Sequence, residues 1–318
     1  MITIAHLSRR YGDFLAVDDV SFTIAGGEVV GLLGPNGAGK TTTMKMLTGF
    51  LEPTSGSIQV DQLLMGPDTA AIQRRIGYLP ENCPAWPEMT VIEFLEYQAV
   101  LHDLPAGERT AAVARAIRRT ELREKATQPI QTLSRGFRQR VGVAQAILHA
   151  PDIIILDEPT NGLDPTQILH MRALIRELAQ SATVIVSTHI LQEVQAVCQR
   201  VLILRAGRMA IDARLDELQR DARLLVTLDR DEASALPLLQ ALEGVSSVEL
   251  VEQTAGRHRY ALRADEARAP AISAAVHRAG FALYGLSREQ RTLETVFAEV
   301  NAVAPAAEGR VPESRDAA

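Results

Sequence analysis

Residues 34–42 read GPNGAGKTT and fit the phosphate-binding pattern G-x-x-x-x-G-K-[ST]. The apolar run Val29–Leu33 precedes this stretch, and a segment with helical spacing follows it. Glycines let successive backbone N–H groups curl around phosphate oxygens, and the start of the following helix adds partial positive charge. The sequence therefore predicts a strand, a phosphate-binding loop and a helix in this order.

Two side chains of this loop have specific predicted roles. The ammonium group of Lys40 reaches the β and γ phosphates, and the hydroxyl of Thr41 holds magnesium. The chain has three lysines against thirty arginines, so a lysine inside such a motif is informative. The predicted nucleotide contacts of the loop are Gly34, Pro35, Asn36, Gly37, Ala38, Gly39, Lys40, Thr41 and Thr42.

A second apolar run, residues 153–156, ends in the acidic pair Asp157 and Glu158. Open α/β sheets bind their ligands at the carboxyl ends of the strands, which places this pair beside the phosphates. Asp157 is predicted to orient Mg²⁺ through water, and Glu158 to polarise the water that attacks the γ phosphate. Both motifs together predict a nucleoside triphosphatase. Neither Lys45 nor Lys125 lies in the N-K-x-D element of guanine-binding proteins, which favours ATP.

The composition is that of a folded protein of two domains. The chain has 318 residues, of which 47% are hydrophobic and 23% charged, close to globular averages. A net charge of -6 provides no global positive field, so nucleic acid is not predicted as a partner.

The sequence favours a cytoplasmic protein without a membrane span of its own. Cys83 and Cys198 have no metal-ligand spacing and fit a reducing compartment. No apolar stretch reaches the roughly 18 residues of a membrane span, and the N-terminus has no signal-peptide pattern. A role at a membrane would therefore require a partner protein.

The apolar pattern predicts an α/β domain over residues 1–215. Val29–Leu33, residues 153–156 and residues 183–186 show no polar alternation and are predicted to be central strands of a parallel sheet. Residues 19–24 alternate, which predicts an antiparallel strand and makes the sheet mixed. Residues 87–150 lack such runs and have helical spacing, which predicts a helical insertion.

A change of composition places a domain boundary between Arg214 and Arg223, followed by a second domain over residues 222–300. Its elements follow the order βαββαβ, the split-βαβ or ferredoxin-like arrangement. The predicted strands are residues 224–228, 248–252, 258–262 and 281–286, and the helices are residues 233–242 and 267–279. Residues 301–318 have a composition that predicts a disordered tail.

Residues 133–137, which read LSRGF, resemble the signature loop of the ATP-binding cassette (ABC) ATPases. The usual form of this loop is LSGGQ, so Ser134 and Gly136 match it whereas Arg135 and Phe137 depart from it. The exporter branch of the family often varies at these two positions. Six sequence elements that resemble those of the family occur in the family's order over residues 1 to about 215. Three are the phosphate-binding loop, the acidic pair after residues 153–156 and the signature loop. The others are Tyr11, the D-loop at residues 162–164, and His189.

The resemblance implies a role for each of the weaker members. Tyr11 would stack on adenine, Asp164 would belong to the D-loop at the nucleotide, and His189 would sense the γ phosphate. Each also has a plainer reading. Asp164 before Pro165 is an ordinary helix N-cap, Tyr11 can pack in a turn, and His189 can be a histidine at the edge of the core.

Glu81 stands where the family usually has a glutamine that touches magnesium or the attacking water and links to the membrane subunit. An ionised carboxylate accepts hydrogen bonds but cannot donate them. We expect Glu81 either to ligate Mg²⁺ directly or to repel the γ phosphate until a dimer closes; a solvated loop acid is the alternative. The following Pro84, Trp86 and Met89 form an apolar loop suited to a helix of a membrane partner.

By resemblance, the chain is the ATP-binding subunit of an ABC-2-type transporter of the drug-export and gliding-motility kind. Residues 222–300 resemble the accessory domain of such subunits. Two chains, identical or paralogous, would sandwich two ATP molecules between the phosphate-binding loop of one and residues 134–137 of the other. ATP hydrolysis would then drive a separate integral-membrane permease at the inner face of the cell membrane.

Two other function classes remain open. One is a soluble ABC ATPase that acts on ribosomes or DNA, although such proteins usually carry two cassettes or a long coiled-coil insertion. The other is a P-loop kinase or switch GTPase, which would not need the loop at residues 133–137. The sequence does not name a transported cargo, because cargo contacts would lie in the permease.

Overall fold

The computed structural model describes residues 1–220, 223–254, 256–288 and 293–302. The chain divides into two compact units, Met1–Leu215 and Asp216–Ala318. No helix in the described ranges is long and apolar enough to cross a lipid bilayer.

The first unit contains ten strands and seven α-helices. The strands are β1 (Ile2–Tyr11), β2 (Phe14–Ile24), β3 (Val29–Leu33), β4 (Ser55–Val60), β5 (Leu63–Leu64), β6 (Ile76–Leu79), β7 (Ile153–Asp157), β8 (Thr183–Thr188), β9 (Arg200–Arg205) and β10 (Arg208–Arg214). The helices are α1 (Lys40–Leu47), α2 (Thr69–Gln73), α3 (Val91–Leu101), α4 (Ala106–Arg119), α5 (Arg135–Ile147), α6 (Pro165–Leu178) and α7 (Leu191–Val197).

A six-stranded sheet with the order β10-β9-β3-β8-β7-β6 forms the centre of this unit. Its strands are parallel except β10, which pairs antiparallel with β9 at one edge. Every residue of β3, β7 and β8 is buried, which explains why these strands show no polar alternation. The predicted mixed, mostly parallel sheet is confirmed.

A second, antiparallel sheet has the order β2-β1-β4-β5. The predicted strand at residues 19–24 is part of β2, but β2 begins at Phe14 and belongs to this sheet rather than to the parallel one. The assignment to a single sheet was wrong because alternation reveals burial on one face and not the strand's neighbours. Side chains from both sheets, such as Ile4, Val20 and Leu202, share one hydrophobic core.

Residues 87–150, all of which the structure describes, contain the helices α3, α4 and α5 and two short 3-10 turns, Arg123–Lys125 and Ile130–Thr132. A capping box opens α3: the Thr90 hydroxyl accepts from the Glu93 N–H at 3.3 Å, and a Glu93 carboxylate oxygen accepts from the Thr90 N–H at 2.8 Å. The segment connects β6 to β7, two adjacent strands of the parallel sheet.

The second unit follows the predicted βαββαβ order. Its elements are β11 (Leu224–Leu228), α9 (Glu232–Gln240), β12 (Val245–Thr254), β13 (Arg257–Ala264), α10 (Ala269–Arg278) and β14 (Leu283–Arg288), with α8 (Leu215–Arg220) before them and α11 (Leu293–Ala302) after them. The sheet is antiparallel throughout, in the order β12-β13-β11-β14. Val226, Tyr260 and Ile272 lie in its separate core.

The predicted disordered tail is corrected at its start. Asn301 and Ala302 close α11 instead of beginning the tail: the last large apolar residue of the helix, Val300, lies in its final turn, which these two residues complete. Residues 303–318 lie outside the described residues.

We predict that a fragment ending at Arg214 folds on its own. The core shared by the two sheets and every nucleotide motif precede this position, and the second unit has its own hydrophobic core. Thermal unfolding followed by circular dichroism should show one cooperative transition, and ATP should raise its midpoint. A non-cooperative or insoluble fragment would contradict the two-domain organisation.

Candidate nucleotide-binding and hydrolysis site

A cleft of about 450 Å³ opens at the carboxyl ends of β3, β6, β7 and β8. Motifs that are distant in sequence meet there because parallel strands end at the same edge of a sheet. The lining residues are Phe14, Ala16, Asn36, Gly37, Gly39, Lys40, Thr41, Thr42, Glu81, Glu158, Asn161 and His189.

The phosphate-binding loop needs glycine at specific positions. Gly39 has a φ of 99°, which side chains rarely tolerate, and a Cβ atom there would lie 2.7 Å from the Ala16 carbonyl oxygen. A Cβ atom at Gly34 would lie 2.5 Å from the Leu204 carbonyl oxygen. Glycine at both positions therefore permits the close backbone approach that leads the loop into α1.

Lys40 lies at the start of α1 and spans the loop. Its ammonium group donates to the Gly34 carbonyl at 2.8 Å and to the Pro35 carbonyl at 3.2 Å, and only 7% of the residue is exposed. Burial lowers the pKa of Lys40, and the negative charges of Glu158, Asp157 and Glu81 oppose this change. The geometry places a cation where phosphate oxygens can replace the loop carbonyls.

Glu158 is held on three sides. One carboxylate oxygen lies 2.8 Å from Nδ1 of His189, and the other accepts from the Thr188 hydroxyl at 3.3 Å. The backbone carbonyl of Glu158 accepts from the Gln139 side-chain amide at 3.4 Å. The residue is buried and has a φ of 50°, an unusual conformation for a residue other than glycine. These contacts aim a carboxylate into the cleft.

Asp157, one residue earlier, is a buried carboxylate without an ordinary partner. Among the described residues, neither of its oxygens accepts a hydrogen bond of good geometry. Burial raises the pKa of Asp157; the nearby hydroxyls of Ser187 and Thr41 lower it in part, and the negative charge of Glu81 adds to the rise. A buried carboxylate without partners fits a site that is completed by a cation.

The donor set fits Mg²⁺ rather than an all-protein metal cage. The described residues contain no group of three or more His, Cys, Asp or Glu side chains arranged to hold a metal. Magnesium is usually held by one or two carboxylates together with substrate phosphates and water. Thr41 and Asp157 provide protein oxygens, and Glu81 is an exposed acid on the same cleft.

Tyr11 does not line the cleft. It is 45% exposed, and the Arg9 guanidinium lies 4.8 Å from its ring centroid. Phe14, paired with Tyr11 across the β1–β2 hairpin, lines the cleft instead and is 58% exposed. The sequence motifs pointed to Tyr11 and not to Phe14, although a second aromatic residue just after the turn at Gly12 was an available signal.

Ser134, Gly136 and Asp164 also lie outside the cleft lining. Ser134 is the N-cap of α5 and its hydroxyl accepts from the Phe137 N–H at 3.5 Å. Asp164 caps α6 by accepting from the Gln167 N–H at 2.9 Å, as its plainer interpretation predicted. Their roles toward a nucleotide therefore remain predictions.

Comparison with known proteins gives matches over the first unit and beyond. The family model described as ABC transporter matches residues 17–161. The chain is 32% identical over 257 residues to the linearmycin resistance ATP-binding protein LnrL of Bacillus subtilis, covering 79% of this chain and 83% of LnrL. It is 39% identical to the ABC transporter ATP-binding protein NatA of the same organism, covering 70% of this chain and 93% of NatA.

Solved structures give the same result. A dimeric structure of the bacterial ABC transporter cassette MJ0796 superimposes with a TM-score of 0.63 at 26% identity, covering 68% of this chain and 99% of that one. A second dimeric structure of MJ0796, in a post-hydrolysis state with ADP and Pi bound, also has a TM-score of 0.63 at 25% identity, with the same coverage.

We predict that Glu158→Gln lowers ATP hydrolysis on the order of 10² to 10⁴-fold, the usual worth of acid–base assistance. ATP binding should persist, because Lys40 and Thr41 are unchanged, and ATP should then trap a stable dimer. Single-turnover hydrolysis, nucleotide binding and light scattering measure the three effects. The matched control is Glu243→Gln, whose side chain is 89% exposed in the second unit. Near-normal hydrolysis by Glu158→Gln would contradict its role as the base.

We predict that the base of ATP rests on Phe14 as well as on Tyr11. Phe14→Ala should weaken ATP binding about tenfold, within the roughly 1–3 kcal/mol that aromatic stacking on a base contributes. Binding of inorganic tripolyphosphate should not change, since it has no base to stack. Titration calorimetry of Phe14→Ala and Tyr11→Ala with both ligands separates the contributions. An equal loss for both ligands would indicate damage to the phosphate-binding loop instead.

Proposed function

Because the chain belongs to the ABC transporter family and is one of its ATP-binding ATPases, we propose that it couples Mg-ATP hydrolysis to a separate membrane permease. The observation that carries the hydrolytic part is the buried Glu158 carboxylate, held 2.8 Å from His189 and facing the cleft of Lys40. A carboxylate in this position can accept the proton of a water molecule that attacks the γ phosphate.

Each charged residue of the cleft has its own part in this proposal. Lys40 binds the β and γ phosphates, and His189 orients the Glu158 carboxylate, because Nδ1–H donates to it. Thr41 and Asp157 would hold Mg²⁺, with Glu81 near them. Magnesium, when bound, neutralises charge on the phosphate oxygens. The exposed Glu81 carboxylate would either join this set or hold the γ phosphate away while the site is open.

The proposed active form is a dimer with two ATP molecules at its interface. Ser134 and Gly136 open α5 but do not line the cleft of their own chain. The start of a 13-residue helix carries partial positive charge, and its first N–H groups have no backbone partner within the helix, which suits the γ phosphate bound by a second chain. The dimers formed by the similar cassette MJ0796 support this arrangement.

The proposed permease contact is an apolar groove beside the loop at residues 81–89. The groove has a volume of about 360 Å³, and its lining includes Phe50, Tyr78 and Pro84. Phe50 is 77% exposed and packs on Tyr78, with ring centroids 6.3 Å apart. Burial raises the pKa of Tyr78, and the charges of Asp157 and Glu81 add to the rise. Tyr78 thus lines the groove and is close enough to the carboxylates proposed to hold Mg²⁺ for their charges to affect it.

Trp86 extends the apolar surface next to this groove. It is 47% exposed and packs edge-to-face on Tyr97, with ring centroids 4.9 Å apart. A tryptophan already ordered by a neighbouring ring loses little conformational freedom on binding, which favours it as an anchor for a partner helix. We assign this surface to a cytoplasmic helix of the permease.

The direction of transport is proposed to be export, and the location to be the inner face of the cell membrane. The resistance function in the name of the relative LnrL supports removal of a toxic compound. The chain would reach the membrane through its permease, and residues 222–300 would act in dimerisation or regulation.

We predict that Trp86→Ala costs about 2 kcal/mol or more of permease binding, as expected for an interface anchor. Co-expressed with its permease, the unchanged protein should sediment with membranes, and Trp86→Ala should release it. Phe297→Ala, in the second unit, is a control of comparable chemistry outside the proposed groove. Sedimentation without any permease, or no effect of Trp86→Ala, would contradict the proposed docking surface.

A further inference from the structure

The loop at residues 134–137 packs against the D-loop of its own chain. Gly162 has a φ of 74°, and a Cβ atom on it would lie 2.5 Å from Nε and 2.7 Å from Cζ of Arg135. The guanidinium group of Arg135 therefore lies directly on the D-loop backbone. This approach requires the absence of a side chain at residue 162.

A second contact joins the first turns of α5 and α6. A Cβ atom on Gly136 would lie 2.2 Å from the side-chain oxygen of Gln167, so the two residues are in close contact. Gln167 is the third residue of α6 and forms a reciprocal capping box with Asp164, with distances of 2.9 Å and 3.3 Å. The start of α5 is thus packed on the residues that end the D-loop.

A third contact reaches the carboxylate that faces the cleft. The buried Gln139, one turn into α5, donates to the Glu158 carbonyl at 3.4 Å. The same carbonyl accepts from the Asn161 N–H at 3.1 Å, which closes the turn that leads to Gly162. The segment from Glu158 to Gln167 is therefore in contact with α5 at its beginning, at Gly162, and at its end.

We propose that Arg135 is a positioning residue for Glu158 of its own chain. In the proposed dimer, Ser134 and Gly136 contact the ATP that is bound to the partner, whereas Glu158 acts on the ATP bound to its own chain. Arg135 lies between Ser134 and Gly136. A movement of this loop on binding the partner's nucleotide would therefore shift Arg135 against Gly162, and with it the turn that holds Glu158 at the chain's own nucleotide. This inference rests on the proposed dimer.

The competing role for Arg135 is direct contact with the partner's ATP, which its exposed position allows. The two roles differ in which active site they affect. A positioning role slows hydrolysis at the site that contains Glu158 of the altered chain. A direct contact slows hydrolysis at the opposite site, where the altered loop faces the nucleotide of the partner.

Mixed dimers of the full-length chain separate these roles in single-turnover hydrolysis of ATP. In the first mixture, Arg135→Ala chains are mixed with a tenfold excess of Glu158→Gln chains. Hydrolysis in the mixed dimers then depends on Glu158 of the Arg135→Ala chain. In the second mixture, unaltered chains meet the same excess of the double variant Arg135→Ala/Glu158→Gln. In the reference mixture, unaltered chains meet Glu158→Gln chains.

We expect the first mixture to be about tenfold slower than the reference, since small misplacements of a catalytic group cost up to about a hundredfold. The second mixture should match the reference. The opposite pattern, equal slowing of both mixtures, or no slowing of either would overturn the inference. Failure of the proposed dimer is recognised separately, because light scattering of the Glu158→Gln chains with ATP would then show monomers only.

Three further variants test whether the effect is specific. Arg135→Lys keeps a long cationic side chain over Gly162 and should restore at least part of the rate in the first mixture. Gly162→Ala displaces the guanidinium group and also strains the backbone at a φ of 74°, so it should slow the first mixture at least as much as Arg135→Ala and leave the second unchanged. Arg138→Ala, an exposed arginine three residues further along α5, is the matched control and should have no effect in either mixture. Loss of rate with Arg138→Ala would overturn a specific role for Arg135.

Discussion

The close approach of bare backbone at Gly34 and Gly39 is the constraint on which the rest of this structure depends. A phosphate-binding loop can point its N–H groups inward only if no side chain separates it from the strands that support it. The carbonyls of Ala16 and Leu204 occupy the space that a Cβ atom would need at these two glycines. The antiparallel sheet and the parallel sheet are thereby brought together at the same loop.

A second feature that bears on function is the balance of positive and negative charge around the phosphate-binding loop. One ammonium group, on Lys40, faces the carboxylates of Asp157, Glu158 and Glu81. Burial lowers the pKa of Lys40 against the effect of these negative charges, whereas burial raises the pKa of Asp157 and the charges of Glu158 and Glu81 add to that rise. A triphosphate adds more negative charge to this set. A cation that enters with the nucleotide, as proposed for Mg²⁺, would supply the partner that both carboxylate oxygens of Asp157 lack among the described residues.

The third feature that bears on function is the position of the starts of α1 and α5 relative to the cleft. The start of α1 lies in the cleft with Lys40, whereas the start of α5, at Ser134, lies outside its lining. In the proposed dimer, the start of α1 therefore binds the nucleotide of its own chain and the start of α5 binds that of the partner. The contact between Arg135 and Gly162 would then connect the two sites.

Sequence alone determined the features that depend on residues close together in the chain: the loop with its flanking strand and helix, the acids at the end of β7, and the βαββαβ order of the second unit. Their signals are local because turn geometry, helix capping and strand burial act within a few residues. Only the tertiary structure decided that β2 joins a separate sheet, that Phe14 rather than Tyr11 lines the cleft, and that Arg135 covers Gly162. These features depend on which distant backbone segments become neighbours, and neither periodicity nor spacing in a single sequence records that choice.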